Sequence, residues 1–328
     1  MRNPPSQMDL SVDVSSYRAN QRPLRETIRY YGKFTRKLVG QFGVLRVLAA
    51  ALGPKSAVPA HQSVIAPRRR TEDVVTGQYD QGAWTRFNEV LLKRCAKGET
   101  LSELLIPTKK MGFDPEEWIL CLMEGKLVWT ERRHANVYKR EKQFRVVNAF
   151  IDADDRAKGR TLIEVGCGVG LTLFGLYTQG IGLPLAGYEL STMGVETARQ
   201  LSEHYRTGIR FSQADLRRDD VEARDQLVLT SFCLEQLKYD TAIVLERILS
   251  WRPRRVIHYE PVIELFHRTS IRDVFNILYI KHCDYQDSLL STLRKMEKEK
   301  RVRIVHAGRA GYGGQPVYEA SCVVWEPL

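Results

Sequence analysis

The 328-residue sequence has little with which to cross-link itself. Its six cysteines (Cys95, Cys121, Cys167, Cys233, Cys283, Cys322) are scattered, with no C-x-x-C and no close Cys/His clustering. That scarcity argues against a structural zinc site and for reduced thiols in a cytoplasm. Long apolar runs are also missing. The longest near the start, Val44 to Leu52, is broken by Arg46 and falls far short of the roughly 20 residues of a membrane span; neither a span nor a secretory signal is expected from it. Internal repeats are absent. Most of the chain even lacks an excess of one charge. The net charge is +11, but residues 1–70 hold 13 Lys and Arg against 3 Asp and Glu, a net of +10. The other 258 residues carry 37 basic and 36 acidic groups, a net of +1. A polynucleotide enzyme usually surrounds its active site with basic groups, so nucleic acid is disfavoured as a partner.

What is present is ordinary globular composition, 43% hydrophobic and 27% charged, at a length that suggests about two units. Residues 1–21 are polar and read as unstructured. From Leu24 a helical stripe follows 4-3-4-3 spacing through Ile28, Tyr31, Thr35, Leu38, Phe42, Leu45 and Ala49, with Arg25, Arg29, Lys33, Arg36 and Lys37 mostly off it. Residues 22–52 are therefore expected to form a basic amphipathic helix. Two readings stay open: docking on an anionic membrane surface, or packing on the protein's own body or on a second subunit, as in a homodimer. Residues 53–75, with Gly53, Pro54, Pro59, Pro67 and Arg68-Arg69-Arg70, read as a linker. Three segments result: a basic N-terminal extension and linker (1–75), a helical cap (76–150) and a catalytic domain (151–328). Within the cap, helices are expected from Asp80 to about Lys97, from Asp114-Pro115-Glu116-Glu117 to about Met123, and from Glu131 to Asp152.

From Thr161 the pattern changes to short β-branched runs alternating with helices. Thr161–Val165, Leu185–Tyr188, Ile209–Gln213, Leu227–Thr230, Arg255–Tyr259, Arg303–Ala307 and Val317–Trp325 read as seven strands. Helices fit between the first five, and the glycine-rich stretch from Gly308 to Gly314 joins the last two as a hairpin. This is an α/β, Rossmann-like, doubly wound sheet with a C-terminal antiparallel hairpin.

The chemistry concentrates at strand tips. Thr161-Leu-Ile-Glu164-Val-Gly166-Cys-Gly168-Val-Gly170 places glycines at alternate positions between a strand and a helix, where the backbone can turn tightly and approach a ligand. The pattern is E-x-G-x-G-x-G, not the dinucleotide G-x-G-x-x-G, and no G-K-[ST] follows to hold phosphates. At the next strand end, Glu189 can accept both hydroxyls of a ribose. Asp215 ends the third strand, where an adenine amine could donate to it. The fourth ends in Thr230-Ser-Phe232-Cys-Leu-Glu-Gln-Leu237, an apolar wall. A single such acid is commonly a cap or a turn former; four ordered tips are harder to explain so.

The stretch from about Tyr138 to Trp325 resembles the class I S-adenosylmethionine-dependent methyltransferases. The resemblance implies a seven-stranded sheet of order 3-2-1-4-5-7-6 and S-adenosyl-L-methionine as cofactor. It implies that Glu164, Gly166, Gly168 and Gly170 surround the methionine part, that Glu189 binds the ribose and Asp215 the adenine amine, and that Leu190, Leu216 and Phe232 line the adenine. Gln236 stands where small-molecule members commonly carry histidine, which puts a histidine role there in doubt.

Methyl transfer to oxygen benefits from a general base, and His258, Glu260 and His282 are the candidates, since loops after the fifth strand face the crevice. No His/Asp cluster has metal spacing, so a metal-independent reaction is expected. The N-P-P-Y or D-P-P-Y segment that amino-methylating nucleic-acid and protein enzymes carry is absent. The expected activity is O-methylation of a small molecule, or of a glycan or lipid-linked intermediate, in the cytoplasm or peripherally at its membrane. N-methylation of a peptide or natural product, and RNA methylation using the basic extension, are the alternatives.

Overall fold

A computed structural model describes residues 12, 13, 77 and 79–328. The amphipathic stripe at residues 22–52 and the linker lie outside the described residues. Among the described residues, no helix is long and apolar enough to cross a membrane.

The chain enters through a π-helical stretch, Tyr79–Trp84, that continues into α1 (Thr85–Cys95) and the short, Thr100-capped α2 (Leu101–Leu104). Strands β1 (Trp118–Met123) and β2 (Lys126–Glu131) follow, then α3 (Arg132–Ala149) and α4 (Ala153–Ala157). Next comes the alternating body: β3 (Leu162–Val165), α5 (Leu171–Thr178), β4 (Leu185–Glu189), α6 (Thr192–His204), β5 (Arg210–Gln213), β6 (Leu227–Ser231), α7 (Thr241–Ser250) and β7 (Arg255–Glu260). Helices α8 (Ile271–His282) and α9 (Leu289–Lys298) lead to β8 (Val302–Gly313) and β9 (Glu319–Pro327).

All the described strands join one sheet of order β2-β1-β8-β9-β7-β6-β3-β4-β5. Strands β3 to β7 pair in parallel, and β9 enters antiparallel between β7 and β8. Numbered from β3, the seven C-terminal strands run 3-2-1-4-5-7-6. Side-chain alternation along buried strands splits the core into two layers. Leu162, Leu227, Leu229 and Ile257 pack on one face with Val146 and Val147 of α3 and Leu173 and Phe174 of α5. Ile163, Val165, Val228 and Val256 pack on the other with Val244 and Ile248 of α7 and Leu289 and Leu293 of α9.

Residues 76–150 depart from the all-helical cap expected of them. The segment after Asp114 is not a helix: Asp114 Oδ1 accepts from the Glu116 N–H in a local turn, and the apolar run Trp118–Met123 becomes β1. It turns back through Glu124 (φ 45°) and Gly125 (φ 72°), a two-residue connection with both φ positive, the geometry of a tight hairpin. Met123 pairs with Lys126, and Leu122 and Met123 also pair with Gly313 and Tyr312 of β8. Strand β8 correspondingly runs through the glycines expected to be a connecting loop, with register shifts at Ile304/His306 and Arg309/Gly313. The hairpin covers what would otherwise be an open sheet edge. The helix expected over Glu131–Asp152 is α3, and its docking is fixed by this hairpin. Glu124 accepts from the Tyr138 hydroxyl at 2.7 Å and from Lys142 Nζ at 2.7 Å.

Candidate functional site

The carboxyl ends of β3, β4, β5 and β6 open into one cleft of about 430 Å³, within the range of small-molecule sites. Its floor is the loop after β3. Gly166 and Gly168 both have positive φ, 72° and 56°, which side-chain-bearing residues rarely adopt. Space matters as much as torsion: a Cβ on Gly166 would lie 2.0 Å from Cys233 Sγ, and one on Gly168 2.7 Å from the Trp84 ring. Gly170, also left-handed, is the N-cap of α5 and stands behind the floor, packed against Phe211 and Phe174.

Acidic groups ring this floor. Glu189, at the tip of β4, accepts the Gly168 N–H at 2.7 Å and the Ser191 N–H at 3.0 Å, so it shapes the loop and borders the cleft at once. Glu164 is buried, and its Oε2 has no hydrogen-bond partner. Burial pushes its carboxyl well above the usual range against the pull of Thr172 and Lys139, and Glu189 and Glu260 add to the rise. Asp215 follows β5. Burial opposes its charge, but hydrogen bonds from Arg217 and Arg218 outweigh that and hold its pKa down at about 2. Leu190, Leu216 and Phe232 also line the cavity, as do Trp84 and Tyr79, which stack at 5.3 Å over the glycine loop. Of the nine residues expected around a cofactor, all but Gly170 border one cavity.

The three candidate bases are not brought together there. His258 sits inside β7, fully buried. The Trp325 Nε1–H donates to its Nε2 at 2.8 Å. An indole can only donate, so that nitrogen is bare and the ring proton resides on Nδ1, which faces Thr230 Oγ1 at 2.9 Å. Burial drops its pKa to about 3. With both nitrogens engaged in the core, His258 does not reach the cleft. Glu260 ends β7 beneath the loop after β6, where its Oε1 accepts the N–H groups of Cys233 and Leu234 at 3.0 and 3.1 Å. Burial lifts its pKa to about 7 against those two bonds. His282 is the last residue of α8 and does not border the cavity. None of the three borders the cavity; β7 is flanked by β6 and β9, and all six of its residues are buried.

Two groups near the cleft carried no sequence signal. Glu235 lines it, with Gln236 Nε2 donating to Oε1 at 2.7 Å and the Tyr318 hydroxyl to Oε2. Lys139 reaches over from α3 and sets its ammonium 4.8 Å from the centre of the Phe232 ring. Phe232 itself has φ 52°, an outlier for a bulky residue and a form of strain that concentrates at functional sites.

No protein-family model matches the sequence, and no curated protein does. Solved structures similar to the chain include magnesium protoporphyrin IX methyltransferase from Synechocystis PCC 6803 with bound S-adenosylmethionine (17% identity over 58% of this chain and 82% of that one, TM-score 0.40). Another is an O-methyltransferase family 2 protein from Planctomyces limnophilus in complex with apigenin (14%, 58% and 58%, TM-score 0.45). A third is an O-methyltransferase from neocarzinostatin biosynthesis with S-adenosylmethionine and 2-hydroxy-5-methyl naphthoic acid (16%, 58% and 55%, TM-score 0.42).

Proposed function

We propose that this protein is an S-adenosylmethionine-dependent methyltransferase acting on the oxygen of a small molecule. The observation that carries the reading is Glu164: a buried carboxylate whose Oε2 has no partner, at the floor of a glycine loop whose other near acid is Glu189. Such a floor suits a cationic ligand and repels phosphates, although a glycine loop opening a helix would otherwise favour them. An ammonium group brought to Glu164 supplies the missing donor and offsets the cost of its burial.

The residues fit the cofactor part by part. Glu164 and the backbone of Gly166 and Gly168 hold the amino-acid end, Glu189 accepts the ribose hydroxyls, and Leu190 and Leu216 line the base; Phe232, expected to line it with them, is assigned to the acceptor instead. Asp215 takes the adenine amine and must share its oxygens with Arg217. Trp84 and Tyr79 line the cleft over the glycine loop. Bound there, the cofactor supplies a methyl group on a positively charged sulfur. The chain's task is then mainly to align the acceptor and to dispose of its proton.

Calorimetric titration with S-adenosylmethionine and S-adenosylhomocysteine tests the reading. Saturable micromolar binding, lost in Glu189→Ala, is expected. Folded protein that takes up neither compound would overturn it.

A further inference from the structure

With His258 engaged through both ring nitrogens, Glu260 buried beneath the loop after β6 with one oxygen taken by backbone N–H groups, and His282 off the cleft, the acceptor's proton needs another destination. Lys139 does not itself line the cavity, but it stands against Phe232 and within electrostatic reach of Glu164 and Glu235, which do. Its helix is fastened on both sides of that residue: Tyr138 and Lys142 bind Glu124, and Gln143 Nε2 donates to Ser231 Oγ at 2.6 Å, at the tip of β6. The amine thus sits at a fixed place over Phe232. Among the described residues it makes no hydrogen bond or ion pair, and its ammonium lies against the ring. Burial lowers its proton affinity; Glu235 after β6 and Glu164 on β3 oppose that, and Arg140 on its own helix reinforces it. Further rings that do not line the cleft pack on Phe232, Tyr259 edge-on at 5.7 Å and Tyr318 tilted at 5.5 Å, so the aromatic surface offered to an acceptor is that of Phe232.

Resting on the methyltransferase reading above, we propose that Lys139 accepts the acceptor's proton and that the acceptor is a phenolic hydroxyl whose ring lies against Phe232. A phenol and an alkylammonium have nearly equal ordinary pKa values, about 10 and 10.4. Proton transfer between them is therefore close to balanced, and the lowering of the Lys139 amine by burial moves it toward the working pH, as a general base requires. An aliphatic alcohol is far too weak an acid to give its proton to an amine. In the step itself, the phenol proton passes to neutral Nζ and the oxygen bonds to the methyl carbon as the carbon–sulfur bond breaks. The bonding pair stays on sulfur, which becomes a neutral thioether, and the ammonium returns its proton to water after product release.

The test uses the full chain saturated with S-adenosylhomocysteine and 4-nitrophenol, which is coloured only as phenolate. An opposite charge at close range favours an ionised group by about one to three pKa units. The bound probe should therefore stay coloured to a pH lower than the free probe by that amount. Lys139→Met should abolish the difference while keeping S-adenosylhomocysteine affinity, which also reports that the variant is folded. Lys139→Arg should retain the colour shift, because it keeps the cation, yet lose methyl transfer to phenols about 10²–10⁴-fold, because guanidinium cannot take a proton. The proposal is overturned if the saturated complex binds no 4-nitrophenol, if the bound probe titrates like the free one, or if Lys139→Arg turns over at the parent rate. Failure of S-adenosylhomocysteine to bind at all would instead bring down the cofactor reading and this proposal together.

Discussion

Glu189→Ala removes one side chain that serves two purposes, and the two can be separated. In the free protein the carboxylate accepts two part-buried backbone N–H groups, from Gly168 and Ser191. Leaving them without that acceptor costs about 1–2 kcal/mol of stability, held to the low end because the cleft admits water. With ligand present, the same carboxylate would also accept two ribose hydroxyls. Hydrogen bonds to a charged group contribute about 1.5–3 kcal/mol each, so about 3–6 kcal/mol of binding is lost. At 1.4 kcal/mol per factor of ten, this weakens S-adenosylhomocysteine binding at least about 100-fold. The assay is calorimetric titration of both proteins, with thermal unfolding in parallel to show that the variant is folded at the temperature used. Glu189→Gln keeps the shape and one acceptor and should fall between the two. A Glu189→Ala protein that melts slightly lower but binds as tightly as the parent would refute the ribose role and leave Glu189 as a loop-shaping residue alone.

Gly168→Ala puts a Cβ at φ 56° and 2.7 Å from Trp84. It should destabilise the fold by about 1–3 kcal/mol and weaken S-adenosylhomocysteine binding; unchanged indole fluorescence and unchanged affinity would count against the placement of Trp84 over the loop. His258→Asn addresses pH. The folded pKa of about 3 lies below the ordinary 6.5, so protons favour the unfolded chain: the contribution is fully present above pH 6.5 and is lost as pH falls toward 3. Denaturant titrations across that window should give a flatter pH dependence for the variant than for the parent, with S-adenosylhomocysteine affinity at neutral pH unchanged. Superimposable stability profiles would show that His258 does not titrate as its burial requires.

What could be read from the sequence was what is local. The glycine loop, the acids at the ends of β3, β4 and β5, and the terminal hairpin each depend on a few consecutive residues, and the sheet order of the seven C-terminal strands follows the expected one. Two local signals compete in the segment before β2. Asp114-Pro115-Glu116-Glu117 looks like a helix start, yet Glu124-Gly125 between two apolar runs is the stronger hairpin signal, and the sheet edge offered by β8 decides the matter. The histidines pose a different problem. A strand-end position does not reveal whether a side chain points to the crevice or into the opposite packing, and His258 shares its burial with a tryptophan 67 residues away. Lys139 had no local signature at all. It is one of several cations along α3, set apart only by which face of that helix meets β6.

That dependence makes the β1–β2 hairpin part of the site's construction, although it lies at the far side of β8. The Glu124 carboxylate receives the Val12 N–H at 2.9 Å, the Tyr138 hydroxyl and Lys142 Nζ, and Lys142 is nearly buried, its side chain 3% exposed. Glu124→Gln removes the countercharge of that lysine. Breaking a buried pair from one side typically costs about 3–5 kcal/mol, and partial exposure of Glu124 places this case toward the lower figure. The effect should not stop at stability, because Tyr138 and Lys142 are the residues that hold Lys139 over Phe232, while the glycine loop and the β4 and β5 tips are built without them. Loosening α3 should therefore raise KM for a phenolic acceptor and lower kcat, and leave S-adenosylhomocysteine affinity as it was. Loss of cofactor affinity in parallel with turnover would show instead that the hairpin supports the whole cleft, and that α3 has no separate role in holding the acceptor.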